Sequence, residues 1–172
     1  GLLHGFQIWL NLPAAEKMQP AAYQEIVAAS INEQRLANGG HVRVIAGDVT
    51  IDNVVVQGQI REATTQPVLL DVQLLPKESV ELLFNAEYSA NTYLYKGKTD
   101  LLAERELGIY GQGESLQLTA GSSGAELLVL SGRPIDEPIA QYGPFVMNTN
   151  TELEQALRDF QSRQFLEKLK TF

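Results

Sequence analysis

The sequence predicts an all-β antiparallel barrel or sandwich ending in one amphipathic helix, and three observations predict it. Short apolar runs recur between residues 41 and 132, separated by turn-forming residues. Nothing in that stretch repeats with helical spacing, so strands at these intervals read as a sandwich or barrel. The last stretch then changes period: Leu153, Ala156, Leu157 and Phe160 stand at i, i+3, i+4 and i+7, one face of a helix.

Taken in order, Phe6, Ile8, Leu10 and Leu12 alternate with Gln7, Trp9 and Asn11, which predicts a half-buried strand that Pro13 ends. Residues 14–38 are mixed. Pro20 and Tyr23 suggest an extended piece, whereas residues 25–36 suit either an irregular turn or a short helix. Gly39-Gly40 resets the chain, so the expected organisation is a strand over 1–13, a linker over 14–40 and a domain over 41–172. Within that domain the expected strands are 42–46, 54–60, 68–75, 80–84, 91–96, 116–119 and 126–130. Turn chemistry separates them at Gly47-Asp48, Thr65-Gln66-Pro67, Pro76-Lys77, Lys96-Gly97-Lys98, Gly111-Gln112-Gly113 and Gly121 to Gly124. For the final helix, Thr149 with Glu152, or Thr151 with Glu154, offers a capping box. Lys168 and Lys170 lie where a cation suits the helix dipole.

Composition narrows the function classes. The chain has 172 residues, 44% hydrophobic and 20% charged, which fits a globular domain with or without a flanking segment. No apolar run approaches the ~18–20 residues that span a bilayer, and residues 2–12 lack the basic leader of a signal peptide. A cytoplasmic location is expected, or a nuclear one in a eukaryote. Thirteen Lys and Arg against 21 Asp and Glu give a net charge of -8. Phosphate binding relies on Lys and Arg, so no direct nucleic-acid partner is expected. With no cysteine there is no disulfide, thiolate nucleophile or Cys-based metal site, and the two histidines, His4 and His41, fall short of an imidazole-rich metal centre. The chain does not begin with Met and is expected to be a processed product or a fragment.

Two segments carry a family resemblance. Gly1-Leu-Leu-His-Gly-Phe-Gln-Ile-Trp-Leu-Asn-Leu-Pro13 resembles the pirin segment that follows the metal-binding half. Tyr142-Gly-Pro-Phe-Val-Met-Asn-Thr-Asn150 resembles the GPFVMNT signature of that family, followed by an acidic helix. Val44-Ile-Ala-Gly47, the 74–76 turn and Leu130-Ser-Gly-Arg-Pro-Ile135 fall where pirins have similar strings. The resemblance implies a cupin-type jelly-roll β-barrel with a carboxyl-terminal helix, the second of two barrels. It implies an iron-type metal held by three histidines and a glutamate in the amino-terminal barrel only, and no cofactor in this chain. It further implies a whole protein like a metal-dependent quercetin 2,3-dioxygenase, or the transcription-cofactor role of animal pirins. The sequence departs from the family at Pro76-Lys77-Glu78, where a Pro-Gly turn is usual, and at Arg163, where a Gly often stops the helix.

A cupin metal site needs imidazoles and a carboxylate converging inside the barrel. Its motif, anchored on Gly97, puts the carboxylate position on Ala90 and the imidazole pair on Leu83 and Asn85, or on Phe84 and Ala86. None of these binds a metal in that role, so this barrel is expected to be metal-free, and the chain alone is not expected to be an enzyme. His41 reads as a surface-loop residue, Glu104 and Glu106 around Arg105 as a solvated face, and Tyr93, Tyr95 and Tyr110 as packing or cavity lining. Gly111 to Gly113 is too short for a phosphate loop, and Ser122-Ser123 has no base partner. The residues expected to serve interdomain docking are His4, Phe6, Trp9, Phe145, Met147 and Asn148. Residues 145–147 would dock either on their own barrel or on an absent amino-terminal one. The expected partners are that barrel, a second copy of the chain, or a separate protein; a small ligand in a metal-free barrel is a third reading. Burying Phe6, Ile8, Leu10 and Leu12 is worth roughly 1.5–3 kcal/mol each, which predicts self-association if no other surface covers them.

Overall fold

The computed structural model describes residues 1, 3–61 and 64–162. They divide into two compact units, one spanning Glu25–Pro134 and one joining Gly1–Gln24 to the chain from Ile135 onward.

The unit over Glu25–Pro134 is an antiparallel barrel. Its strands are β1 (Asn32–Arg35), β2 (His41–Ala46), β3 (Asp48–Ile51), β4 (Val54–Gln57), β5 (Val68–Leu74), β6 (Ser79–Leu83), β7 (Ser89–Thr99), β8 (Leu107–Tyr110) and β9 (Ser115–Gly132). They form one nine-stranded sheet in the order β1-β2-β5-β9-β6-β3-β4, with β7 paired to β9 and β8 to β7. The Asn32 side-chain amide donates to the Gln57 carbonyl at 2.8 Å, so the outermost strands β1 and β4 approach and nearly close the sheet on itself. Closure removes exposed edges that would otherwise template pairing with other chains.

β9 is the spine. Its residues 115–119 pair with β6 and its residues 125–131 with β5. The sequence reading splits this strand into 116–119 and 126–130 at a turn over Gly121 to Gly124, but those residues form a corner within one strand. Gly124 (φ +79°) and Gly97 (φ +87°) are both in the left-handed region, and a Cβ on Gly97 would lie 2.3 Å from the Gly124 carbonyl oxygen. Glycine at Gly97 lets the two backbones meet where the sheet bends.

The expected strands 42–46, 68–75, 80–84 and 91–96 correspond to β2, β5, β6 and β7, while the run 54–60 is strand only to Gln57. β1, β3 and β8 are not anticipated. Residues 25–36 hold a 3-10 turn over Ala28–Ser30 and then β1, which pairs with β2, so the stretch read as a linker contributes a barrel strand. β3 and β4 are joined by Asp52-Asn53, both at positive φ (45° and 70°), as a two-residue type I′ hairpin requires. His41 opens β2 rather than lying in a loop.

Alternation along the strands turns Val42, Val44, Ile51, Leu70, Val72, Leu82, Leu94, Leu118 and Leu127 inward, and these side chains are essentially inaccessible to solvent. The inside is therefore a packed aliphatic core. One carboxylate is buried beside it. Glu78 accepts hydrogen bonds from the backbone amides of Asn38 (2.9 Å), Gly40 (3.1 Å) and Leu75 (2.9 Å), tying the β1–β2 turn to the β5–β6 turn.

In the other unit β10 (Ala140–Tyr142) and β11 (Phe145–Met147) form a hairpin, followed by α1 (Asn150–Gln161). α1 is capped by the Thr149/Glu152 box. It buries Leu153, Ala156 and Asp159, with Leu157 half-buried and Phe160 61% exposed. The inward stripe is thus rotated from the predicted one, with Asp159 inside in place of Phe160. Lys168, Lys170 and any continuation of the helix past Arg163 lie outside the described residues. Residues 6–12 form no strand, because a ladder needs a neighbouring backbone and none of the described residues pairs with them. A 3-10 turn over Ala14–Glu16 follows Pro13.

Candidate functional site

The positions that the motif anchored on Gly97 assigns are occupied by residues with structural contacts. Leu83 ends β6 opposite Thr50 and Ser115. Phe84 packs against the core. The Asn85 side-chain oxygen accepts from the Glu87 amide at 3.0 Å, and its carbonyl accepts from the Tyr88 amide at 2.9 Å, so Asn85 closes its own turn. Ala90 sits in β7 between Tyr110 and Ser131. Among the described residues no group of three or more His, Cys, Asp or Glu side chains could hold a metal ion. The described side chains at the assigned positions offer no imidazole or carboxylate for one.

The remaining polar residues have structural work. Glu104 accepts from the Gly97 amide at 3.2 Å and Glu106 from the Ala103 amide at 2.8 Å, so both brace the turn before β8. The Tyr110 hydroxyl lies 2.8 Å from Thr92 Oγ1, and the Tyr95 hydroxyl donates to Asp71 at 2.8 Å. Burial, then that hydrogen bond and the charges of Asp71 and Glu126, push the Tyr95 phenol above its ordinary value. His41 Nε2 lies 3.9 Å from Glu33, which also meets Arg35 at 2.9 Å and Arg43 at 3.2 Å. Partial burial works to raise the Glu33 pKa. It is outweighed by the Arg43 hydrogen bond and the positive surroundings of His41, Arg35 and Arg43, which hold Glu33 below its ordinary value.

The residues expected to dock a partner all fall in the unit built from Gly1–Gln24 and the chain from Ile135. His4 is exposed, with its ring centroid 5.2 Å from that of Phe6. Phe6 (44% exposed), Ile8, Trp9 (63% exposed) and Leu10 leave apolar surface in water. Phe145 is half-buried and meets Phe160 edge to face at 5.5 Å, while Met147 pairs with Ala140. The Asn148 side-chain amide donates to Glu137 at 2.8 Å and to the Pro138 carbonyl at 3.1 Å. A groove of about 400 Å³ is lined by Trp9, Leu10, Lys17, Gln141, Pro144 and Val146.

What holds this unit together was not legible beforehand. Glu137 accepts from the Ala14 backbone amide at 2.7 Å as well as from Asn148, binding the first segment to the β10–β11–α1 segment across 123 residues of sequence. Lys17 donates to Asn11 at 2.7 Å. No spacing rule marks a contact of that range.

Comparison with known proteins agrees with the architecture. Residues 69–166 match the family model of the pirin C-terminal cupin domain. A Vibrio cholerae protein provisionally named quercetin 2,3-dioxygenase is 36% identical over 169 residues, covering 96% of this chain and 60% of that protein. Human pirin is 30% identical over 183 residues, covering 98% of this chain and 60% of that protein. The chain thus spans about 60% of the length of these relatives. A crystal structure of quercetin 2,3-dioxygenase from Acinetobacter baumannii superposes with a TM-score of 0.82 at 31% identity, covering 91% of this chain and 55% of that one. With barrel, signature segment and matched relatives in agreement, the chain belongs to the pirin family and carries its carboxyl-terminal cupin domain.

Proposed function

We propose that the chain is the non-catalytic half of a pirin-type protein whose whole form acts as a metal-dependent quercetin 2,3-dioxygenase, and that its role is to dock on the metal-bearing barrel and shape that neighbour's pocket. The observation that carries this reading is the occupancy of the motif positions: Phe84 packs on the core, Asn85 closes a turn and Ala90 has no ligating atom. The exposed apolar side chains of Phe6, Ile8, Trp9 and Leu10 supply the docking surface. The alternation of Phe6, Ile8 and Leu10 with Gln7, Trp9 and Asn11 suits a strand added to a partner's sheet edge, where backbone hydrogen bonds give affinity and alternate side chains give specificity. The metal belongs to the neighbour in this reading, and no step of the reaction uses a residue of this chain.

The test is reconstitution. The chain is mixed with the separately produced amino-terminal barrel of a pirin relative, and quercetin consumption and complex formation are measured together. A stable complex with turnover well above that of the amino-terminal barrel alone supports the reading; no complex, or unchanged turnover within a complex, contradicts it.

A second reading, a docking module for a separate protein in the manner of a transcription cofactor, draws on the same exposed Trp9 and Leu10. A Trp9→Ser variant separates the two, because it abolishes quercetin turnover in the reconstituted pair only under the first.

A further inference from the structure

The barrel unit carries a cavity at the bend between β2 and β3 that neither the core nor the docking surface explains. Its volume is about 250 Å³, and Gly47, Asp48, Arg61, Gln66, Val68 and Tyr88 line it. Backbone chemistry builds it. The Gly47 amide donates to the Ile60 carbonyl at 2.8 Å and the Gly58 amide to the Gly47 carbonyl at 2.6 Å, which lays residues 58–61 along the bend. Gly47 sits at φ +73°, and a Cβ there would lie 2.5 Å from the Pro67 carbonyl oxygen, so only glycine lets residues 66–68 come this close. The result brings Arg61 Nη2 to Asp48 Oδ2 at 2.8 Å on one wall, and the Tyr88 hydroxyl donates to the Gln66 side-chain oxygen on another.

Two residues next to the lining carry unused hydrogen-bonding capacity. Thr65 Oγ1 and Ser131 Oγ are buried without a hydrogen-bond partner among the described residues, in side chains only 5% and 8% exposed. Thr65 precedes the lining residue Gln66, and Ser131 stands opposite the lining residue Val68 in the β5–β9 register. A buried hydroxyl left unpaired is costly, and such groups mark a place for a water or a ligand.

We propose that this cavity binds a small neutral molecule carrying hydroxyls on adjacent carbons. Size comes first, since about 250 Å³ is below the ~300–1,000 Å³ of sites for drug-sized ligands. Charge comes next. A ligand of either sign meets one like charge in the Asp48–Arg61 pair and must pull that pair apart to use the other. Adjacent hydroxyls need no such displacement. One donates to the unused edge of the Asp48 carboxylate while its neighbour accepts from Arg61, whose planar fork keeps further N–H groups available. Val68 and the Tyr88 ring supply an apolar surface for the carbon skeleton.

The experiment follows the backbone amide resonances of Gly47 and Asp48 in the whole chain while cis-1,2-cyclohexanediol, cis-1,4-cyclohexanediol or cyclohexanol is added. Saturable shifts with the 1,2-diol are expected, with a Kd on the order of 10 mM for so small a ligand. The 1,4-diol and the mono-alcohol are expected to bind at least about fivefold more weakly, and Asp48→Asn to weaken the 1,2-diol about tenfold while the remaining amide resonances keep their positions. Arg61→Gln gives the same reading if Asp48→Asn fails to fold. Equal binding of the three probes, no saturable shift, or undiminished binding by the folded variant would overturn the proposal.

Discussion

At the scale of single residues the fold rests on a few polar side chains placed where no periodicity announces them. Glu78 is the clearest. The sequence shows it only as part of a departure from a Pro-Gly turn, yet its carboxylate is buried and gathers the amides of Asn38, Gly40 and Leu75. Glu78→Gln removes the charge from these hydrogen bonds and replaces one acceptor oxygen with a donor that faces other donors. It is expected to lower stability by about 2–3 kcal/mol in urea unfolding; a loss within error would show that the carboxylate is incidental. The neighbouring Lys77 sits at φ +64°, where the family's usual Gly carries no strain. Lys77→Gly is expected to raise stability by up to about 1 kcal/mol, relief of the left-handed conformation being partly offset by the freer unfolded chain. Spacing from Gly97 is what assigns the motif positions at this scale, whereas Glu137 and Glu78 act across distances in sequence that spacing does not encode.

At the scale of elements, long apolar alternations such as β5 and β7 were readable from sequence, and short or composite strands were not. β8 is a four-residue strand bounded by polar turns, and β3 is masked by the Asp52-Asn53 turn that in fact signals its hairpin. The glycines of residues 121–124 read as a break because glycine usually punctuates; here they bend one strand through a corner. α1 was legible through its cap. Thr149 Oγ1 accepts from the Glu152 amide at 3.2 Å, and Glu152 accepts from the Thr149 amide at 2.8 Å. The hydrogen bond from the Thr149 side chain, outweighing a slight desolvation of this exposed group and joined by the Thr149 and Asn148 amides and the charge of Lys17, holds the Glu152 carboxyl below its ordinary value of 4.5. A carboxylate whose folded value is depressed contributes stability that is fully present above the ordinary value and disappears as pH falls through the folded one. Far-UV circular dichroism should therefore show wild type exceeding Glu152→Gln in thermal stability at pH 6 and the two converging well below pH 4.5; a gap unchanged down to pH 2.5 would refute the cap's ionic character. Thr149→Ala is expected to cost about 1 kcal/mol.

At the scale of the whole molecule, each of the two units has its own logic. The barrel unit is nearly closed around an aliphatic core, while the unit of the first and last segments leaves Phe6, Ile8, Trp9 and Leu10 in water. The alternation over 6–12 predicts a strand, and the chain forms none there among the described residues; the proposed docking would supply the missing ladder. Without that partner the chain is expected to self-associate, and Phe6→Ser with Trp9→Ser to shift it toward monomer in light scattering; a wild type that stays monomeric at high concentration would count against an unfilled docking surface. The most direct measurement concerns the barrel itself: metal content by mass spectrometry after the purified chain is incubated with ferrous iron under anaerobic conditions and desalted. Far less than one iron per chain is predicted, whereas one tightly held iron per chain, lost on substitution at Asn85, would contradict the account.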